Sequence, residues 1–263
     1  MRRAGLVAPG LLGLQTMQVD PLQGAGRAGA DTMTPETDFD SCASDYEAEL
    51  NRGLSVSGEK KDYFARRRVA WCAACLAEER APKAVLDYGC GTGTALPFLA
   101  ERFRPATLVG VDVSRESLAA ARDELPAGTA ELIALDDHRP SADIDLAYCN
   151  GVFHHIPLAD RAEAVARVRQ SLRPGGWFSL WENNPWNPGT RLVMKRIPFD
   201  RDAIPLSPPV ARRLLAAGGF RVVRTDFLFF FPGPLRRLRW LEPALVRFPL
   251  GAQYQVLAQR EAE

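Results

Sequence analysis

The sequence predicts an α/β chain built on a doubly wound parallel sheet. Three observations carry that prediction. From Lys83 onward, short runs rich in Val, Ile and Leu alternate with amphipathic helical runs. A glycine turn follows the first of these runs, and an acid ends the second. Strand candidates are Ala84–Tyr88, Thr107–Asp112, Glu131–Leu135, Ile144–Cys149 and Trp177–Trp181, with helices over Thr94–Phe103, Arg115–Glu124 and Leu158–Leu172 between them. Pro174-Gly175-Gly176 stops the last helix and turns the chain. A Pro- and Asn-rich insertion over Asn183–Pro209 follows, then a helix over Pro209–Ala217 ended by Gly218-Gly219. Two more strands are expected over Phe220–Phe231 and Tyr254–Gln259.

Upstream of this pattern the chain divides in two. Residues 1–35 are rich in Gly, Ala and Pro without periodicity, and read as a disordered leader or as a start assigned ahead of Met33. Residues 36–80 turn helical, with Tyr46, Leu50, Tyr63, Phe64, Val69 and Leu76 as anchors and a polar break at Asn51–Glu59. They are expected to form a helical lid over the main domain at 81–263. The chain has 263 residues, 46% hydrophobic and 25% charged, with a net charge of +1. That balance supplies no global field for nucleic acid or an acidic membrane. No apolar run reaches the ~20 residues that span a bilayer. The 5 cysteines are scattered, which suits a reducing compartment, so a cytoplasmic location is expected. Trp71-Cys72-Ala73-Ala74-Cys75 matches a redox motif in letters, but its helical setting lacks the preceding strand such a site needs, so helix packing is the reading.

The chemistry sits at the ends of the strands. Val85-Leu86-Asp87-Tyr88-Gly89-Cys90-Gly91-Thr92-Gly93 is a strand running into a glycine turn and a helix, where a ligand can approach the backbone. Asp87 would repel a pyrophosphate and suits an ammonium. Asp112, followed by Val113, can accept hydrogen bonds from two ribose hydroxyls, while Ser114 caps the next helix. Asp136, ahead of its neighbour Asp137, stands where an adenine amino group could be bound. The run Ile144–Pro157 ends a fourth strand at the topological switch point and holds His154 and His155, two of the chain's 3 histidines. Either can serve as a general base or an orienting group near neutral pH, or simply pack and cap. No third ligand has metal-like spacing, so no metal site is expected.

Val85–Gly93, Gly110–Ser114, Asp145–Pro157 and Arg173–Gly176 together resemble, in order and spacing, the motifs of class I S-adenosylmethionine-dependent methyltransferases acting on small molecules and lipids. The resemblance spans roughly Tyr63 to Gln259. It implies a Rossmann-like, seven-stranded sheet whose last strand is antiparallel, and S-adenosylmethionine as cofactor. It further implies that Asp87, Gly89, Gly91 and Gly93 surround the methionine end, that Asp112 holds the ribose, and that Asn150 and Gly151 line the sulfonium side. The path from Asp136 to Asp145 is shorter than in many relatives, which bears on the adenine contact.

The acceptor, an oxygen, nitrogen or carbon of a small molecule or a lipid-like compound, is expected under Trp181–Pro188 and Pro198–Ala203, with Glu182 or Asn183 touching it. Glu182 joins His154 and His155 as a catalytic candidate, and Tyr46, Tyr63 and Phe64 are candidates for closing the site. The aromatic run Phe227–Phe231 reads as a buried strand. The basic, Trp-containing stretch after it reads as a helix that could rest on a membrane surface. Two competing readings share part of the pattern. A nicotinamide-dependent dehydrogenase shares the glycine turn and the ribose acid but lacks the Asp87 and Asn150–Pro157 features. A catalytically silent methyltransferase-like partner protein is opposed by the intact Asp87, Gly89, Gly91, Gly93 and Asp112. Near-zero net charge and the lack of an Asn/Asp-Pro-Pro-Tyr motif argue against a nucleic-acid acceptor.

Overall fold

The computed structural model describes residues 58–196 and 203–262. The expected leader, the first lid helix with Tyr46, and Pro198–Asp202 lie outside these residues. Within them the elements are α1 (Lys61–Cys75), β1 (Ala84–Tyr88), α2 (Leu96–Phe103), β2 (Thr107–Asp112), α3 (Arg115–Glu124), β3 (Glu131–Ala134) and β4 (Ile144–Asn150). There follow α4 (Arg161–Ser171), β5 (Leu172–Asn183), α5 (Pro188–Arg196), α6 (Pro208–Ala217) and β6 (Phe220–Leu228). A 3-10 helix (Gly233–Leu241), α7 (Glu242–Leu245) and β7 (Gln253–Arg260) complete the set. Among the described residues no helix is long and apolar enough to cross a membrane.

The sheet has seven strands in the order β3-β2-β1-β4-β5-β7-β6. β1 to β5 pair in parallel, and β7 inserts antiparallel between β5 and β6. The parallel strands read as continuous apolar runs because both of their faces are covered. On one face Leu86, Ala147, Phe178 and Val256 pack under Val165 and Val168 of α4 and Ala211 and Leu215 of α6. On the other, Val85, Leu146, Tyr148 and Leu257 pack under Val69 and Cys72 of α1 and Leu96 and Leu99 of α2. The order reverses between β1 and β4, so the chain leaves these neighbours in opposite directions and opens a crevice at their carboxyl ends.

Several boundaries differ from the sequence reading for local reasons. β5 starts at Leu172, and Pro174-Gly175-Gly176 forms a bulge between the Ile144–Leu172 and Leu146–Trp177 pairings rather than a terminus. β6 stops at Leu228 because Phe229 takes φ 64, which a strand cannot continue through. The insertion contains α5, begun by Pro188 and by the Asn187 side chain, whose Oδ1 accepts the Thr190 N–H at 2.9 Å. As expected, Ser114 caps α3 by accepting the Ser117 N–H at 3.0 Å.

α1, the described part of the expected lid, packs on the sheet as a wall. Ala65, Arg68, Val69 and Cys72 bury one face, and Trp71 Nε1 donates to the buried Asp226 at 3.0 Å. Burial pushes both the Cys72 and Cys75 thiols up to about 12, so neither is a thiolate near neutral pH.

Candidate active site

A cavity of about 400 Å³ opens at the carboxyl ends of β1 and β4, a size typical of small-molecule sites. Its floor is the glycine turn. Gly89 has φ 75, and a Cβ there would drive into Val152. Gly91 has φ 53, and a Cβ there would meet nothing within 4 Å. The first glycine is thus demanded by the protein's own packing. The second leaves space on the cavity side.

Asp87 lies at the end of β1 under this turn and is buried, with Oδ2 lacking a hydrogen-bond partner among the described residues. Burial first, and the nearby Asp112 carboxylate second, push its pKa up to about 7, while Arg68 pulls the other way. Across the crevice, Asn150 Oδ1 at the end of β4 is likewise buried and unpartnered. Both residues line the cavity. Two orphaned acceptors facing one hollow suit a cationic or N–H-bearing ligand, since native buried acceptors are nearly always satisfied. The ammonium and sulfonium of S-adenosylmethionine have the chemistry to satisfy them. On this test the residues fit the cofactor.

The remaining polar wall is held in place from several elements. Arg68 donates to Tyr148 Oη at 3.2 Å and to Gln253 Oε1 at 2.8 Å. Gln253 Nε2 in turn donates to Asn183 Oδ1 at 3.1 Å. His154 is buried, and its Nδ1 lies 2.6 Å from Glu182 Oε2. Glu182 Oε1 accepts the Phe153 N–H at 2.8 Å. A carboxylate at Nδ1 fixes the orientation of the imidazole ring. His155 packs on His154 with ring centroids 4.1 Å apart.

Comparison with known proteins agrees with this geometry. Residues 86–178 match the family model described as "Methyltransferase domain". A trans-aconitate 2-methyltransferase of Methylobacterium nodulans is 34% identical over 62% of this chain and 61% of its own length. One from Azoarcus sp. is 33% identical over 43% of this chain and 44% of its own length. The alignments therefore span less than two thirds of these relatives. In fold, an S-adenosylmethionine-dependent methyltransferase from Mesorhizobium loti superposes with TM-score 0.53 at 22% identity, over 73% of this chain and 98% of that one. Magnesium protoporphyrin IX methyltransferase from Synechocystis, solved with bound SAH, gives TM-score 0.57 at 19% identity, over 86% and 98%. Residues 86–178 match a methyltransferase domain, and the fold around them is the one shared by solved S-adenosylmethionine-dependent methyltransferases.

Within this fold the sequence candidates take distinct places. Asp87, Gly89, Gly91, Asn150, Gly151, His154, His155, Tyr63, Phe64 and Asn183 all border the cavity. Gly93 sits behind the turn, against Leu125 and Ala121. Asp112 stands at the end of β2, beside the cavity. Its Oδ2 accepts the Gly91 N–H at 2.7 Å and its Oδ1 the Ser114 N–H at 2.9 Å, so it also braces the glycine turn. Val113 and Asp136 are exposed at the same sheet edge, outside the enclosed hollow. Asp137 forms an exposed ion pair with Arg115 at 2.9 Å. Glu182 lies beneath His154 rather than on the cavity surface.

The asparagines of the insertion act largely as staples. Asn184 is buried and donates to the carbonyls of Pro249 and Gly251, and Asn187 donates to that of Leu250. The basic stretch expected as an interfacial helix is the 3-10 helix, none of whose residues is buried, with Trp240 largely exposed. Sequence reasoning missed Arg68, Tyr148, Gln253 and Thr190 on the cavity wall. Arg68 had a signal: it occupies the buried helical stripe Ala65-Arg68-Val69-Cys72, where a cation needs built acceptors.

Proposed function

We propose that this protein transfers the methyl group of S-adenosylmethionine to an oxygen of a small-molecule acceptor, a carboxylate in the first instance. The unpartnered Asp87 Oδ2 facing the cavity carries the cofactor half of this reading. The relatives named trans-aconitate 2-methyltransferase support a carboxylate acceptor. When bound, S-adenosylmethionine supplies an electrophilic methyl on a sulfonium. Asp87 receives the ammonium, Asn150 and the glycine turn hold the methionine end, and Asp112 is the residue for the ribose. The enclosing walls exclude water and hold the acceptor oxygen in line, a proximity effect worth up to ~7–11 kcal/mol. That oxygen would receive the methyl, and the sulfur would keep the electron pair of the S–CH3 bond. A methyl ester and S-adenosylhomocysteine leave. A carboxylate is already ionised, so no base is required, and His154 then orients the oxygen.

The His154–Glu182 pair favours a second reading, a hydroxyl acceptor. There Nε2 would take the hydroxyl proton and Glu182 would stabilise the imidazolium, worth about 10²–10⁴-fold. Incubation with methyl-labelled S-adenosylmethionine and a panel of carboxylic and hydroxy acids separates the two. Label released as methanol by mild alkali identifies an ester and supports the first reading. Alkali-stable label, with turnover lost in His154→Gln, identifies an ether and the second. Calorimetry in which S-adenosylhomocysteine fails to bind would remove both.

A further inference from the structure

The cavity has aromatic lining that the cofactor reading does not use. A strand shows successive side chains to opposite faces, so three consecutive residues cannot face one hollow while β6 continues. Here they do. Phe229, Phe230 and Phe231 all border the cavity, because Phe229 adopts φ 64 and breaks the strand. Such a conformation is an outlier for an aromatic residue and persists only where surroundings enforce it. Those surroundings are present. Buried Glu242 accepts the N–H groups of Phe230 and Phe231 on Oε1, at 3.1 and 3.3 Å. Its Oε2 accepts Arg67 of α1 at 2.9 Å. Arg239 donates to the Phe231 carbonyl at 3.0 Å, pairs with Glu59 at 2.8 Å, and lies 4.5 Å over the Tyr63 ring.

α1 supplies the rest of this wall. Phe64 meets Phe229 edge-on at 5.0 Å, Tyr63 meets Phe64 at 5.3 Å, and Tyr63 lies 6.2 Å from Phe229. Phe64 and Phe229 present apolar ring surface, while Arg239 covers the Tyr63 ring. These two phenylalanines do not stand apart as the separated faces that would enclose a cation. Val193 and Met194 of α5 add aliphatic lining. Asp87, Asn150 and Arg68 supply polar lining to the same cavity. This wall also lies outside the residues that match the family model, 86–178.

We propose that the aromatic wall is the acceptor subsite, and that it takes a carboxylic acid with an apolar aryl or alkyl body, in contrast to a compact polyanion such as the relatives' trans-aconitate. This rests on the methyltransferase reading above and deepens it. Glu242 is a positioning residue, acting through the backbone of Phe230 and Phe231.

The test compares S-adenosylhomocysteine formation from 3-phenylpropanoate, octanoate and trans-aconitate, with wild type, Phe231→Ala and Glu242→Gln. The expected result is kcat/KM at least tenfold higher for an aryl or alkyl acid than for trans-aconitate. Phe231→Ala should raise KM for that acid about tenfold while leaving the Kd for S-adenosylhomocysteine within twofold, which also reports an intact fold. Glu242→Gln should raise the same KM with kcat less affected. Equal or better use of trans-aconitate, or a KM unmoved in Phe231→Ala, overturns the proposal, as does turnover of none of the acids when S-adenosylhomocysteine binds. Failure of S-adenosylhomocysteine to bind wild type is read separately by calorimetry and overturns the underlying reading as well.

Discussion

Asp87→Asn should make the unliganded protein more stable and the liganded one much weaker. Asp87 titrates near 7 in the folded chain against a reference of 3.8, a difference of about three units. At ~1.4 kcal/mol per unit, the buried carboxylate costs the unliganded fold about 4 kcal/mol when ionised. The folded chain holds this proton more tightly than the unfolded chain does. Stability from this group is therefore greatest below the reference value, declines as pH climbs from 3.8 to about 7, and is flat above. Asparagine removes that slope. An ammonium-bearing ligand needs the ionised form, which falls to roughly a tenth of the population one unit below the pKa. S-adenosylhomocysteine should thus bind about tenfold more weakly near pH 6 than near pH 8 in wild type. In Asp87→Asn the affinity should drop about 10²-fold or more, because the lost pair is buried, and the pH dependence should vanish. Urea unfolding of the unliganded proteins, with calorimetry across pH 6–8, measures both effects. A variant less stable than wild type near pH 8 that binds S-adenosylhomocysteine within threefold would refute the reasoning.

Two further outcomes follow from the geometry. Gly89→Ala should lower stability, with little soluble protein, because its Cβ collides with Val152 at φ 75, whereas Gly91→Ala should cost only about 1 kcal/mol in stability yet weaken S-adenosylhomocysteine binding; thermal melts with and without ligand separate them. Cys72 and Cys75, with thiols near 12, should react with an aromatic disulfide reagent at pH 8 about a thousandfold more slowly than a free thiol until the chain is unfolded, and rapid native labelling would contradict their burial.

The sheet was legible because its parallel strands are short apolar runs between amphipathic helices, a local pattern in the sequence. α3 matched at both ends since Ser114 caps it and Glu124 precedes a Leu-Pro break. The glycine-turn part of the site was equally local: an acid, three glycines and a second acid lie within one strand-turn-helix-strand unit. What stayed hidden depends on partners distant in sequence. Nothing near Glu182 announces that it serves His154 and the Phe153 N–H. Phe227–Phe231 reads as an unbroken strand because the group that stops it, Glu242, is supplied from beyond the turn. α5 went unseen although Asn187 and Pro188 are helix-start residues, since the density of Asn and Pro around them signals loop. The asparagines drew attention as binding candidates, and several are spent on the backbone of 249–251.

β7 fills the gap between β5 and β6, which places the sheet's last-made strand in its interior. During synthesis, β1 to β4 can pair through local crossovers as they emerge, whereas β6 must wait for residues 253–260 to gain its hydrogen-bonded neighbour. The two halves of the catalytic hollow therefore mature at different times. A nascent chain can shape its nucleotide-side turn early, yet the phenylalanine wall, anchored to β6 and latched by Ala252 to Phe229, closes only once the final strand has threaded in. A chain halted before that point would have the glycine turn and Asp87 without the phenylalanine wall, so on the proposed acceptor reading it would bind the cofactor without turning over an acceptor.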